Sequence, residues 1–133
     1  MSSLSDLLRQ VEESPGDARL VQKVGELFRR RGDDRSAVRY FVRACEIYES
    51  DGLFLMAIAV YKQVLLVDPE FIAALPRVAE LHVMVQLLPE AAAYFRSARH
   101  AFAKRGRREE AAAMTARLAE LGLPDDAPPT AMA

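Results

Sequence analysis

The sequence predicts an all-α fold, an antiparallel helical solenoid of about seven helices, and three observations lead to this prediction. The chain matches itself when it is shifted by 54 residues, with 11 identities across the 53 gapless pairs that lay residues 15–67 on residues 69–121. The matched positions hold small residues, aromatics and turn-formers, which set how closely two helices approach. No segment shows the alternation of a half-buried strand. An internal repeat of this kind is typical of a solenoid, in which each unit buries its apolar face against its neighbours.

Seven helical segments follow from the spacing of apolar residues and from the breakers between them. Their expected ranges are about Leu4–Glu13, Ala18–Arg31, Arg35–Ser50, Phe54–Val67, Phe71–Leu87, Pro89–Lys104 and Arg108–Leu121. Asp17 is the expected N-cap of the second segment, and Gly32 is its expected stop. Because the connections are short, neighbouring helices should lie antiparallel.

Two places depart from regular helix. Pro76 falls inside the fifth segment, where it marks either the first turn of a helix that starts later or a kink. The segment Gly122–Ala133 contains three prolines and has little to pack, so we expect a disordered tail. The helical domain is therefore predicted to cover residues 1–121.

Composition and charge limit the possible partners and location. The chain of 133 residues has 18 basic and 19 acidic side chains and a formal net charge of -1. A binder of nucleic acid or acidic lipid normally carries a basic excess, so we expect neither. The single Cys45 excludes an internal disulfide and fits a reducing compartment. With neither a signal peptide at the N-terminus nor an apolar run long enough to span a bilayer, the prediction is a soluble, cytoplasmic protein without membrane insertion.

Two pairs of segments carry a recognisable signature. Val24-Gly25-x-x-Phe28 is followed by Ala37-x-x-x-Phe41-x-x-Ala44, and Val78-Ala79-x-x-His82 is followed by Ala91-x-x-x-Phe95-x-x-Ala98. This pattern resembles the tetratricopeptide repeat, and the chain is similar to segments of larger bacterial tetratricopeptide proteins. The resemblance implies a right-handed antiparallel solenoid that binds a peptide or helix of a protein partner. The chain departs from the family's 34-residue period, because its own repeat is three helices in 54 residues.

The sequence predicts no catalytic residue, no metal site and no cofactor. Cys45 has no histidine nearby in sequence, and neither His82 nor His100 has a partner at metal-ligand spacing. We expect His82 to lie in the core, since it occupies the place of the helix-A aromatic. Adjacent carboxylates such as Asp33-Asp34 and Glu109-Glu110 sit at helix starts, where they stabilise the helix N-terminus. The chain is therefore predicted not to be an enzyme.

Two sets of residues are candidates for contact with a partner. The first shares the polar face of the second helix and consists of Gln22, Glu26, Arg29 and Arg30. The second forms an apolar stripe on the fifth helix and consists of Val83, Met84, Leu87 and Leu88. In the first copy, the place of this second set is charged. The apolar stripe is therefore either covered by later parts of the chain or exposed for association.

These observations favour a non-enzymatic protein–protein interaction module or scaffold. One groove type of the tetratricopeptide family binds a partner's C-terminal carboxylate just after the helix-A glycine. Here Gly25 is followed by Glu26 and Ala79 by Glu80, and an acid would repel a carboxylate. Two alternatives stay open: a structural module that forms homo-oligomers through the fifth-helix stripe, and a secretion chaperone of the tetratricopeptide type.

Overall fold

The computed structural model describes residues 3–126, and within that range the chain forms seven α-helices and no strand. The helices are α1 Leu4–Glu13, α2 Ala18–Arg30, α3 Asp34–Ser50, α4 Phe54–Val67, α5 Ala74–Met84, α6 Leu88–Lys104 and α7 Arg108–Glu120. The predicted all-α fold and the predicted number of helices are confirmed. The chain divides into two compact units, with unit 1 ending at Phe71 and unit 2 beginning at Ile72. The predicted right-handedness of the solenoid stays a prediction.

The same turn ends five of the helices, and it shows the 54-residue repeat in the backbone. After α2 the turn places Gly32 at φ 80°, and the N–H of Asp33 donates to the carbonyl of Phe28 at 3.0 Å. This is the hydrogen-bond pattern with which a left-handed residue closes a helix. At the matching place after α5, Gln86 adopts φ 63° although it is not glycine. The positive-φ positions after α3 and α6, Gly52 and Gly106, are also 54 residues apart.

Unit 1 consists of α1 to α4, and each helix packs on the next one in the chain. Its fully buried side chains come from every helix but the first, and they include Val21, Val24, Ala37, Phe41, Ala44, Cys45, Ala57 and Val64. The closest approach joins α2 to α3, where a Cβ built on Gly25 would lie 2.8 Å from Cδ1 of Phe41. The helices of unit 1 therefore need a residue without a side chain at this position.

Helix starts in unit 1 are held by side-chain caps. Asp17 accepts a hydrogen bond from the N–H of Leu20 at 3.1 Å, so its predicted role as the N-cap of α2 is confirmed. Asp33 caps α3 in the same way by accepting from the N–H of Ser36 at 3.1 Å. This hydrogen bond lowers the pKa of Asp33 below its usual value.

Unit 2 consists of α5, α6 and α7, again packed in chain order. One buried cluster combines Ala79, Ala91, Ala92, Phe95 and Leu118, and another combines Ile72, Ala98 and Phe102. The five alanines that recur between the copies were predicted to lie at helix–helix contacts. They are Ala37, Ala44, Ala57, Ala91 and Ala98, and each is 0% exposed, so that prediction is confirmed.

The fifth helix is shorter than predicted at both ends, because it runs over Ala74–Met84 and not over Phe71–Leu87. Pro76 explains the late start, since a proline ring inside a helix clashes with the carbonyl four residues earlier, which here belongs to Ile72. Pro76 instead lies in the first turn of α5, where its missing N–H has no intrahelical partner to lose. The early end follows from the left-handed backbone at Gln86. Of the two alternatives for Pro76, the first turn of a later helix is correct.

The chain continues in contact with unit 2 after α7. Leu123 is half-buried against the cluster around Phe95 and Leu118. The carbonyl of Pro124 accepts a hydrogen bond from Arg96 at 3.1 Å, and Arg99 forms an ion pair with Asp125. These contacts place residues 122–126 on α6 and α7. The predicted disorder of the tail stays a prediction for residues 127–133, which lie outside the described residues.

Candidate partner-binding site

A shallow depression of about 290 Å³ lies on unit 1 where α2, α3 and α4 meet. Its lining combines charged, amide, phenolic and thioether side chains, namely Arg19, Gln22, Lys23, Glu26, Tyr48 and Met56. We call this set the unit 1 depression. Two of the residues predicted from sequence to contact a partner, Gln22 and Glu26, lie in it.

Gln22 connects the three helices that form the unit 1 depression. Its side-chain oxygen accepts a hydrogen bond from the hydroxyl of Tyr48 on α3 at 3.1 Å. Its side-chain nitrogen donates to the side-chain oxygen of Gln63 on α4 at 3.5 Å. Burial raises the pKa of Tyr48, so its hydroxyl stays protonated and can donate to Gln22. The polar floor of the depression is therefore held in place by side chains from α3 and α4.

The charged residues of the depression follow one stripe of α2. Arg19, Lys23 and Glu26 are separated by four and three residues, which places them on neighbouring turns of one helical face. Arg19 and Lys23 are exposed, and Glu26 is half-buried. On the α4 side, Met56 is 40% exposed and adds a flexible apolar contact. The surface can therefore offer two cations, one carboxylate and one apolar side chain to the same ligand.

Unit 2 carries an ion pair at the place that corresponds to this stripe. Nε of Arg117 on α7 lies 2.8 Å from one carboxylate oxygen of Glu80 on α5, and its NH2 nitrogen lies 2.9 Å from the other. The two hydrogen bonds to Glu80 raise the pKa of Arg117 above its usual value. The fold of unit 2 thus joins its first and third helices by a bidentate salt bridge.

The same two positions in unit 1 hold a different pair. In the 54-residue register, Glu80 corresponds to Glu26, and Arg117 corresponds to Gln63. Gln63 cannot form a salt bridge, and its side chain contacts Gln22 instead. Within residues 3–126, Glu26 takes part in none of the salt bridges. The equivalent carboxylate is therefore free to face a ligand in unit 1.

The other residues predicted on the second helix lie beyond the depression. Arg29 and Arg30 are exposed in the last turn of α2, and neither is among the lining residues. Their side chains are available to a ligand that extends past Glu26 toward the end of the helix. A role for these two arginines in binding stays a prediction.

The apolar set predicted on the fifth helix does not form a single helical stripe, so that part of the prediction is wrong. Because α5 ends at Met84, Leu87 lies in the following turn and Leu88 is the first residue of α6. Met84 is 53% exposed and Leu87 is 40% exposed, while Val83 packs against the cluster around Phe95. Leu88 is half-buried. The exposed apolar surface at this place is therefore limited to Met84 and Leu87.

Cys45 and His82 are parts of the core. Cys45 is fully buried, its thiol lies 3.6 Å from the carbonyl of Ala57, and burial raises the pKa of the thiol. His82 stacks on Tyr94 with ring centroids 5.1 Å apart, and its Nδ1 lies 2.8 Å from the carbonyl of Val78. The predicted core position of His82 is confirmed. Across residues 3–126, no group of three histidine, cysteine or acidic side chains is arranged to hold a metal ion.

Several residues of the unit 1 depression were not identified from the sequence: Arg19, Lys23, Tyr48, Met56 and Gln63. The spacing of Arg19, Lys23 and Glu26 along α2 was a usable signal, since it predicts one shared stripe. Tyr48 lies in the core register of α3, and nothing in the local sequence indicates that its hydroxyl reaches Gln22 on another helix. Gln63 is informative only when it is compared with Arg117.

Comparisons with known proteins leave the family open. The sequence matches no protein-family model and no curated protein. Among solved structures, the crystal structure of MamA is similar over 88% of this chain and 85% of that chain, with 12% sequence identity and a TM-score of 0.40. At this identity and TM-score, the similarity establishes neither a shared family nor a shared function. The tetratricopeptide assignment therefore stays a prediction from sequence, and the all-helical fold rests on the helices themselves.

No helix in the described part of the chain has the length and apolar character needed to cross a bilayer. The cytoplasmic location and the absence of a nucleic-acid partner stay predictions.

Proposed function

We propose that this chain is a non-enzymatic protein–protein interaction module that holds a peptide or helix of a protein partner in the unit 1 depression. The observation that carries the proposal is the difference between the two units. The carboxylate of Glu80 is paired with Arg117 inside unit 2, whereas the corresponding Glu26 has no ion pair and lies in a depression. A charged group that the fold leaves unpaired beside a concave surface is suited to contact another molecule.

The chemistry of the lining supports a peptide as the ligand. Gln22 can both donate and accept hydrogen bonds, which matches the amide groups of a peptide. Met56 can adapt to an apolar side chain of the partner. The charges on α2 add direction, because Arg19 and Lys23 favour an acidic group at one end and Glu26 favours a basic group at the other. A partner segment can therefore be read for sequence and orientation.

Charge reversal in the depression tests the proposed function. The full chain is used as bait in the native cell, and a captured partner is purified and titrated by calorimetry. The double variant Arg19→Glu/Lys23→Glu should weaken that binding by at least tenfold. The control variant Lys104→Glu/Arg108→Glu changes two exposed cations of unit 2 and should leave the affinity within about twofold. Equal losses in both variants, or no loss in the first, would show that the partner does not bind in the depression.

A second candidate function is self-association through unit 2, as the sequence alternative proposed. It is favoured by the neighbouring exposed side chains of Met84 and Leu87 at the end of α5. Sedimentation of the pure chain over a hundredfold range of concentration tests it. A sedimentation coefficient that rises with concentration would support the alternative, and a constant monomer value would exclude it.

A further inference from the structure

The bidentate pair in unit 2 shows what the corresponding carboxylate in unit 1 is built to bind. Glu80 and Glu26 occupy equivalent places on the first helix of each unit, in the repeated motif Val-x-Glu-Leu. Glu80 receives both hydrogen bonds of one guanidinium edge, from Nε and from the NH2 nitrogen of Arg117. A carboxylate in this place, on this helix, is therefore compatible with side-on binding of an arginine.

Unit 1 keeps the carboxylate and lacks the arginine. Gln63 stands where Arg117 would be, and its side chain is turned to Gln22 at 3.5 Å. Bidentate binding of a carboxylate is specific to the planar guanidinium group, which presents two parallel N–H donors. The missing group can therefore be supplied from outside the chain.

We propose that the unit 1 depression binds a partner segment through an arginine side chain, whose guanidinium pairs with Glu26 as Arg117 pairs with Glu80. This inference rests on the proposed function and adds the chemical class of the partner. Arg19 and Lys23 lie one and two helical turns before Glu26, so the segment carries an acidic group beside its arginine. The lining then meets a ligand whose two charges are both paired.

The smallest probe with these two groups is N-acetyl-L-arginine, which combines a guanidinium with a free carboxylate and has no net charge at pH 7. N-acetyl-L-citrulline is the matched control, because it keeps the carboxylate and replaces the guanidinium by a neutral urea. Both are titrated into the ¹⁵N-labelled full chain and followed by amide chemical shifts. N-acetylarginine should shift the amides of the unit 1 depression with a dissociation constant on the order of 1 mM. N-acetylcitrulline should bind at least tenfold more weakly.

Two reciprocal substitutions test whether the 54-residue equivalence governs binding. Gln63→Arg supplies the missing guanidinium from the chain itself and should abolish the shifts in unit 1. Arg117→Gln releases Glu80 and should create a second set of shifts, on α5 of unit 2. Glu26→Gln keeps the size of the side chain, removes its charge and should weaken N-acetylarginine binding about tenfold.

Equal binding of the two probes, or shifts that persist in Glu26→Gln, would overturn the inference. Its failure differs from a failure of the proposed function. If a purified partner loses affinity in Arg19→Glu/Lys23→Glu but keeps it in Glu26→Gln, the depression binds that partner without an arginine, and only this inference is wrong. If neither variant changes the affinity, both proposals are wrong.

Discussion

Replacing Gly25 by alanine tests the close approach of α2 and α3, on which the shape of unit 1 depends. The new Cβ would lie 2.8 Å from Cδ1 and 2.9 Å from Cε1 of Phe41, which is shorter than carbon atoms tolerate. The ring of Phe41 is fully buried, so it cannot move aside without disturbing its neighbours. Overpacking of this kind costs about 1–3 kcal/mol.

The substitution also has a favourable contribution, since alanine is better than glycine inside a helix by about 1 kcal/mol. The net expectation for Gly25→Ala is a loss of about 1 kcal/mol in the free energy of unfolding. For a chain of this length, that corresponds to a drop of about 4 °C in the melting temperature. Urea unfolding followed by circular dichroism measures the first quantity, and a thermal scan measures the second.

A second background separates the steric cost from the helix propensity. Phe41→Leu removes the ring atoms that the new Cβ would meet, so Gly25→Ala in that background should stabilise by about 1 kcal/mol. Unit 2 provides a structural precedent, because Ala79 occupies the equivalent place beside a buried Phe95. If Gly25→Ala stabilises the otherwise unchanged protein by the full propensity gain, the helices have room for a side chain and the reasoning is refuted.

Three further outcomes follow from burial and exposure. Ala44→Leu should lower the free energy of unfolding by about 1–3 kcal/mol in a urea titration, since Ala44 is fully buried; a neutral result would contradict the packing of α3. The thiol of Cys45 should resist a thiol-specific reagent at pH 8 in the native protein and react only as the protein unfolds, because burial raises its pKa; fast native reaction would show an accessible thiolate. Met84→Asp/Leu87→Asp should leave the helical circular dichroism unchanged and remove any concentration-dependent sedimentation, whereas unfolding of the variant would assign both side chains to the core.

The helices were predictable from sequence wherever a local signal marks their ends. Gly32, Gly52 and Gly106 supply the left-handed residue that closes a helix, and the predicted helix boundaries at these turns agree with the structure within one residue. The prediction of α5 was too long because Gln86 adopts a left-handed conformation that its residue type does not indicate. At the other end, the sequence left two interpretations of Pro76 open, and only the contacts of the folded chain select one.

The candidate site was only partly predictable. Gln22 and Glu26 follow from the polar face of α2, but the depression also needs Tyr48, which the sequence places in the core. The contrast between Gln63 and Arg117 is visible in the 54-residue register. What the register cannot show is that Arg117 reaches Glu80, which lies 37 residues away in sequence and on another helix. Pairing across helices depends on their packing, and local patterns carry no information about it.

Site-specific photo-crosslinking tests most directly whether a partner binds in the unit 1 depression. A photo-reactive benzoylphenylalanine is placed at Lys23, an exposed residue of the lining, and in a second protein at Ala103, an exposed residue of α6. Each protein is irradiated with the purified partner at a concentration near the dissociation constant. The account predicts a covalent adduct from position 23 and none from position 103. Crosslinking from position 103 alone, or equally from both, would contradict the account.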